Sequence, residues 1–181
     1  MSVYVPRLVL PTDPGRDHIR GPVNARLTLL EYGDFECPYC GAAHPVVDEI
    51  RRRLGRHLRF VFRHFPLSTV HPHAELAAEA AEAAGAQGKF WEMHDRLFEH
   101  QAALGNDDLI AHGTALDLDI DALTRELADG TYAQRVREDF TTGVRSGVNG
   151  TPSFFINNVR YDGSHDLGSM LNTLEGMLRA A

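Results

Sequence analysis

Cys37 and Cys40 are the only two cysteines in a chain of 181 residues. Their setting, Cys37-Pro38-Tyr39-Cys40, puts the first thiol at the mouth of a helix and the second one turn inside it, provided a helix begins there. In that position the free backbone N–H groups and the positive end of the helix dipole stabilise a thiolate on Cys37 and make it the attacking nucleophile. Cys40 is then placed to resolve a mixed disulfide. Pro38 is tolerated in the first turn, where its missing N–H costs nothing, and it fixes the backbone that holds the sulfurs together. The same spacing is also half of a zinc site. The other half would need two more ligands, which without further cysteines must be histidines converging from afar. His71 and His73, flanking Pro72, read better as exposed polar residues at a helix start. Thiol chemistry without a metal is therefore expected. A pair so close together builds no framework of structural disulfides, and stability must come from packing.

The elements that must position these thiols show in the periodicity. Leu27 to Tyr32 (Leu-Thr-Leu-Leu-Glu-Tyr) is a short apolar run closed by Gly33, which predicts a buried strand leading into the cysteines. Beyond them Val46, Val47, Ile50 and Leu54 recur at helical spacing until Gly55 ends the pattern. The cysteines thus lie at a strand-to-helix junction. From His57 to Phe65 the residues alternate, Leu58, Phe60 and Phe62 on one side and Arg59 and Arg63 on the other, and Pro66 stops the strand. From His73 to about Ser146 the pattern is helical, with an alanine-rich stretch from Ala74 to Ala86. One stripe is Phe90, Met93, Leu97 and Phe98; another is Tyr132, Val136, Phe140 and Val144. Phe90, Trp91 and Phe98 read as core. Asn106, Asp119 and Thr131 are placed as N-caps, the last with Gln134 in capping-box position. After Gly147 and Gly150 come Thr151-Pro152, a strand from Ser153 to Ile156, an Asn157-Asn158 turn and a short strand from Val159 to Tyr161, which together predict a hairpin. Leu167, Met170, Leu171, Leu174 and Leu178 form a closing amphipathic helix that must cover that hairpin sheet.

The formal net charge of -7 and pI near 5.8 argue against nucleic acid or an anionic membrane surface as the main partner. No stretch approaches the roughly 18 consecutive apolar residues that span a bilayer, so no membrane insertion is expected. Met1 to Asp17 carries Pro6, Pro11 and Pro14 and no signal-peptide core. A cytoplasmic location is the expectation.

The order βαβ, helical block, Gly-Thr-Pro, ββα, with the dithiol at the first helix, resembles the DsbA-like branch of the thioredoxin superfamily, in particular its small bacterial members. The resemblance runs from about Leu27 to Leu178. It rests on Leu30-Glu31-Tyr32-Gly33-Asp34-Phe35-Glu36 leading into Cys37-Pro38-Tyr39-Cys40, and on Arg63-His64-Phe65-Pro66-Leu67 in the second strand. It implies an α/β thioredoxin fold, βαβ and ββα, with an inserted helical subdomain. The boundaries read 1–26 for an N-terminal extension, 27–71 and 147–181 for the two parts of the fold, and 72–146 for the insertion.

The activity implied is thiol–disulfide exchange, with Cys37 and Cys40 catalytic and no cofactor. Pro152 is expected to be cis and packed against the disulfide, and the Thr151 backbone to offer strand-like hydrogen bonds to a bound peptide. Pro38 and Tyr39 join them as substrate-binding positions. Glu31 is implied to lie under the buried sulfur and relay its proton. Its place in an apolar run, where an unpaired charge would be costly, favours that role over an exposed glutamate. Strongly oxidising members carry a histidine where this chain has Tyr39, so a cation is absent from the dipeptide. Asp34 and Glu36 precede Cys37 and work against its thiolate, screened by solvent. The expected Cys37 pKa is below that of a free thiol, but less so than in the strongest oxidants. His44 is read as an exposed helix residue. Partners implied are protein or peptide disulfides and dithiols, with a thioredoxin-like reductase, glutathione or a membrane oxidase as redox partner. The alternative is a redox-switched binding or regulatory module without turnover, since such domains occur attached to membrane transporters in the wider family.

Overall fold

The computed structural model describes residues 6–180. The apolar run Leu27–Gly33 is buried along its whole length and forms β2, the middle strand of a five-stranded sheet of order β1 (His18–Arg20), β3 (Leu58–His64), β2, β4 (Ser153–Ile156) and β5 (Val159–Tyr161). It is flanked by β3 (Leu58–His64) in parallel, from Leu27 opposite Leu58 to Gly33 opposite His64, and by β4 (Ser153–Ile156) antiparallel. A parallel neighbour requires a crossover, supplied by α1 (Pro38–Leu54) and a short 3-10 turn, Gly55–His57. β4 turns through Asn157 and Asn158, both in the left-handed region (φ 47° and 69°), into β5 (Val159–Tyr161), as a two-residue hairpin demands.

Both sheet faces are covered, which explains why β2 reads as a nearly continuous apolar run. Leu29, Phe60, Phe62, Phe154 and Ile156 face a core shared with Val47, Ile50 and Leu54 of α1, with the helical insertion, and with Met170, Leu171 and Leu174 of α7 (Leu167–Ala180). Leu30, Tyr32, Val61 and Phe155 face a smaller cluster with Leu8, Phe65, Val148 and Phe140.

The insertion comprises α2 (Ala74–Ala86), α3 (Phe90–Glu99), α4 (Asn106–Ala115), α5 (Ile120–Asp129) and α6 (Ala133–Arg145). The Asp119 side chain caps α5, accepting from the Ala122 N–H at 2.9 Å. Two other caps differ from the sequence reading. Gly105 caps α4, with Asn106 its first residue, and the Asp108 carboxylate closes back on the Gly105 N–H. Tyr132, not Thr131, stands at the N-cap of α6, and the Gln134 amide donates to Glu138 instead of forming a capping box. Val144 is exposed; the buried face of α6 runs through Val136, Asp139 and Gly143. Gly143 lies there because a Cβ would stand 2.7 Å from the Phe65 ring, so only hydrogen allows the helix this close to β3.

β1 (His18–Arg20) is an element the periodicity does not reveal. It pairs antiparallel with β3 along its free edge. With it comes a buried ion pair: the Arg63 guanidinium donates to both Asp17 carboxylate oxygens at 2.9 Å and to the Tyr32 hydroxyl at 3.1 Å. Among the described residues no helix is long and apolar enough to cross a membrane.

Candidate dithiol site

α1 begins at Pro38, so Cys37 is its N-cap, in extended backbone at φ -72° and ψ 121°, and Cys40 falls in the first turn. The Cys37 N–H donates to the Asp34 carbonyl at 3.1 Å, and the Gly41 N–H to the Cys37 carbonyl at 3.1 Å, which starts the helix. Both thiols are free and buried. Pro38 and Tyr39 between them are exposed, Tyr39 at 74%. The Thr151–Pro152 peptide is cis and its loop meets the dithiol: Cys37 Sγ lies 3.4 Å from the Thr151 carbonyl oxygen.

The two sulfurs are pushed in opposite directions. Cys37 is pulled down to about 5, first by the hydrogen bond from Cys40, against the opposing cost of burial, then by Thr151 and the N–H groups of Cys40 and Tyr39. Cys40 is pushed far up by burial, by its proton's engagement with Cys37, and by the charges of Glu31 and Cys37. Glu31 is 2% exposed, and its Oε1 has no hydrogen-bond partner. Burial, and then the charge of Cys37, push its pKa up to about 8, against a hydrogen bond with Cys40 that lowers it. The site therefore holds a nucleophile ionised at neutral pH, a protonated thiol one turn away, and a carboxyl group beside that thiol able to take or give a proton.

Two acids near Cys37 are held differently from the sequence expectation. Asp34 is buried, not solvent-screened: its carboxylate accepts from the Glu36 N–H at 2.8 Å, the Leu67 N–H at 2.8 Å and His71 Nδ1 at 2.8 Å. Glu36 accepts from the His73 N–H at 2.7 Å and pairs with His73 Nδ1 at 2.9 Å. His71 is largely covered rather than exposed, because a buried carboxylate needs a partner. His44 also departs from the exposed reading. Its ring stacks on Phe98 at 5.2 Å and lies 5.5 Å from His94. Phe90 and Phe98 lie in the core, with Trp91 packed against it beneath the Arg20 guanidinium.

One positioning residue has no signal in the sequence pattern. Gln101, just after α3, donates from its amide to the carbonyls of Phe35 at 2.8 Å and Cys37 at 2.9 Å, pinning the active loop to the insertion. Gly41 is its counterpart, since a Cβ there would collide with the Gln101 amide.

A strand-helix dithiol facing a Thr-Pro loop, on a sheet split by a helical insertion, defines a thioredoxin-type redox site. The chain belongs to the thioredoxin family, whose sequence profile matches residues 13–176. Its fold is that of the DsbA-like proteins. It superposes on BdbD from Bacillus subtilis with a TM-score of 0.85 at 20% identity, covering 96% of this chain and 99% of that one. For alpha-DsbA1 of Wolbachia pipientis the TM-score is 0.79 at 20% identity, with 96% and 98% covered. For a thioredoxin-like oxidoreductase from Silicibacter pomeroyi it is 0.80 at 25% identity, with 93% and 95% covered. In sequence the chain is 51% identical over 163 residues to a protein of Salinispora arenicola named Na(+)/H(+) antiporter NhaA 1, covering 90% of this chain and 25% of that protein. The chain thus spans about a quarter of the length of that relative.

Proposed function

We propose that the protein exchanges disulfides with protein or small-molecule thiols through Cys37 and Cys40. The observation that carries this reading is geometric: two free sulfurs one helical turn apart at the start of α1, the first against the Thr151-Pro152 loop, with which their opposite pKa shifts agree. The Cys37 thiolate attacks one sulfur of a substrate disulfide, forming a mixed disulfide and expelling the other as a thiolate. With Cys37 bonded to the substrate its charge no longer raises the Glu31 pKa; Glu31, ionised, takes the Cys40 proton as Cys40 attacks Cys37 Sγ, which closes the Cys37–Cys40 disulfide and releases the reduced substrate. Two electrons have moved from the dithiol to the substrate, and the reverse sequence oxidises a substrate dithiol. Pro38, Tyr39 and Thr151-Pro152 frame the surface where the substrate lies. A thioredoxin-like reductase, glutathione or a membrane oxidase resets the pair, and a cytoplasmic setting is part of the same proposal. The test is turnover of a disulfide-bonded peptide with glutathione as reductant. Cys37→Ser should abolish it, and native-rate turnover by that variant sinks the assignment.

The match to part of an antiporter favours a second reading, in which the domain is a redox-switched module acting on a transporter. Such a module binds its partner in one redox state and completes a single cycle. Multiple turnovers by the isolated chain decide for the enzyme.

A further inference from the structure

The Pro38-Tyr39 dipeptide holds no cation, yet the structure brings two imidazoles to the site from elsewhere. Asp34 and Glu36 are the acids nearest Cys37 in sequence, and each is met by a histidine of the loop that follows β3: His71 on Asp34, His73 on Glu36. The two pairs are unequal. Asp34 is buried, and its backbone carbonyl caps the Cys37 N–H, so its carboxylate is rigidly placed and poorly screened. A bare carboxylate there would oppose the Cys37 thiolate as a like charge. Glu36 and His73 are more exposed, and their pair is weakened by water.

We propose that His71, clamped on Asp34, supports the Cys37 thiolate alongside the hydrogen bonds to it, by cancelling the buried carboxylate that would otherwise oppose it. This rests on Cys37 being the nucleophile of the exchange reaction. His71 is a positioning residue acting through charge, not a catalytic one. The charged groups that act on it are Asp34, Glu36 and Cys37, with His73 paired on Glu36. Those three raise its pKa against the opposing effect of burial, so it keeps its proton to higher pH than a free imidazole. By linkage the support is mutual: a thiolate that favours protonated His71 is itself favoured by it to the same degree. Oxidising the dithiol removes the thiolate, so the imidazole must become less basic when the disulfide closes.

The experiment has two arms. In the first, thiolate absorbance near 240 nm is titrated in reduced wild type, His71→Gln and His71→Lys. The midpoint for Cys37 should rise by about 0.5–1 pH unit in His71→Gln, a loss of about three- to tenfold in thiolate at a fixed acid pH, and His71→Lys should recover most of it. The equilibrium with glutathione should move by the same factor toward a more reducing protein, up to about 30 mV for tenfold. In the second arm, the wild-type His71 ring is titrated by NMR in the reduced and disulfide forms, which needs no variant to fold. Its midpoint should fall on oxidation by the amount that the Cys37 midpoint rises in His71→Gln.

An unmoved Cys37 midpoint in a folded His71→Gln protein, or identical His71 titrations in the two redox forms, overturns the proposal. Wild-type turnover measured alongside separates the two levels of inference. An active wild type with unmoved titrations rejects His71 alone, whereas a wild type without turnover rejects the exchange reading and this proposal with it.

Discussion

Glu31 pairs in register with Phe62 on one side and Phe154 on the other, so its carboxyl group is surrounded by the sheet and by the two thiols. Its folded-state pKa, about 8, lies above its unfolded value near 4.5. Between those values the folded protein retains a proton that the unfolded chain has released, so this residue makes stability fall as pH rises through that window. Each pH unit of the window corresponds to about 1.4 kcal/mol. Glu31→Gln keeps the shape and removes the titration. Urea unfolding of the reduced protein should therefore show the variant gaining about 2–4 kcal/mol over wild type at pH 8 and little at pH 4.5. The same change should slow closure of the Cys37–Cys40 disulfide by about 10²-fold, the low end for loss of a general base, in quenched-flow trapping of the mixed disulfide. A variant that is no more stable than wild type at pH 8 would show that Glu31 is not held neutral. Stability gained without slower closure would leave it neutral but idle.

At the scale of elements, the N-terminal segment and β1 form a strap across β3, fastened by Asp17 on Arg63. Arg63 is fully buried, so removing its partner leaves an uncompensated charge in the core. Asp17→Ala should cost about 3–5 kcal/mol in chemical denaturation, while Arg63→Met in the Asp17→Ala background should recover part of it. A loss below about 1 kcal/mol would mean that the pair does not hold the strap. Burial opposes ionisation of Asp17, but Arg63 outweighs it and its pKa is lowered. The stability it contributes is thus present above its unfolded pKa and disappears as pH falls through the lower folded value. This strap also marks what the sequence could not show. β2, α1, the hairpin and α7 are legible because unbroken or periodic apolar residues meet Gly, Pro or Asn punctuation at their ends. β1 is three residues, His-Ile-Arg, with no alternation to detect, and its neighbour Arg63 sits on the side of β3 that alternation marks as polar. The dithiol is legible from its motif at a strand-to-helix junction, whereas Glu31 and the Thr-Pro loop are singled out only through the family resemblance that this motif and the strand order carry. The Asp34–His71 pair spans 37 positions and the Gln101–Cys37 bond 64, and only the folded topology brings such loops together.

For the whole molecule, the redox state of two sulfurs is coupled to the free energy of the fold. A Cys37 held near 5, against a free thiol near 8.5, means that folding favours the reduced, thiolate form. Because the folded pKa is the lower one, this stabilisation is complete above the unfolded value and vanishes as pH falls through about 5. At pH 7 it is worth up to about 2.7 kcal/mol, or about 1–2 kcal/mol after allowing for solvent beside the exposed Pro38 and Tyr39. The four-residue loop closed by the disulfide offsets an amount of the same size, about 2 kcal/mol, but that amount does not change with pH. The melting temperature of the reduced protein should therefore rise relative to that of the disulfide form by a few degrees between pH 4 and pH 7. Calorimetry of the two forms across that range tests it. A difference between the two forms that does not change between pH 4 and pH 7 would mean that the fold does not favour the Cys37 thiolate.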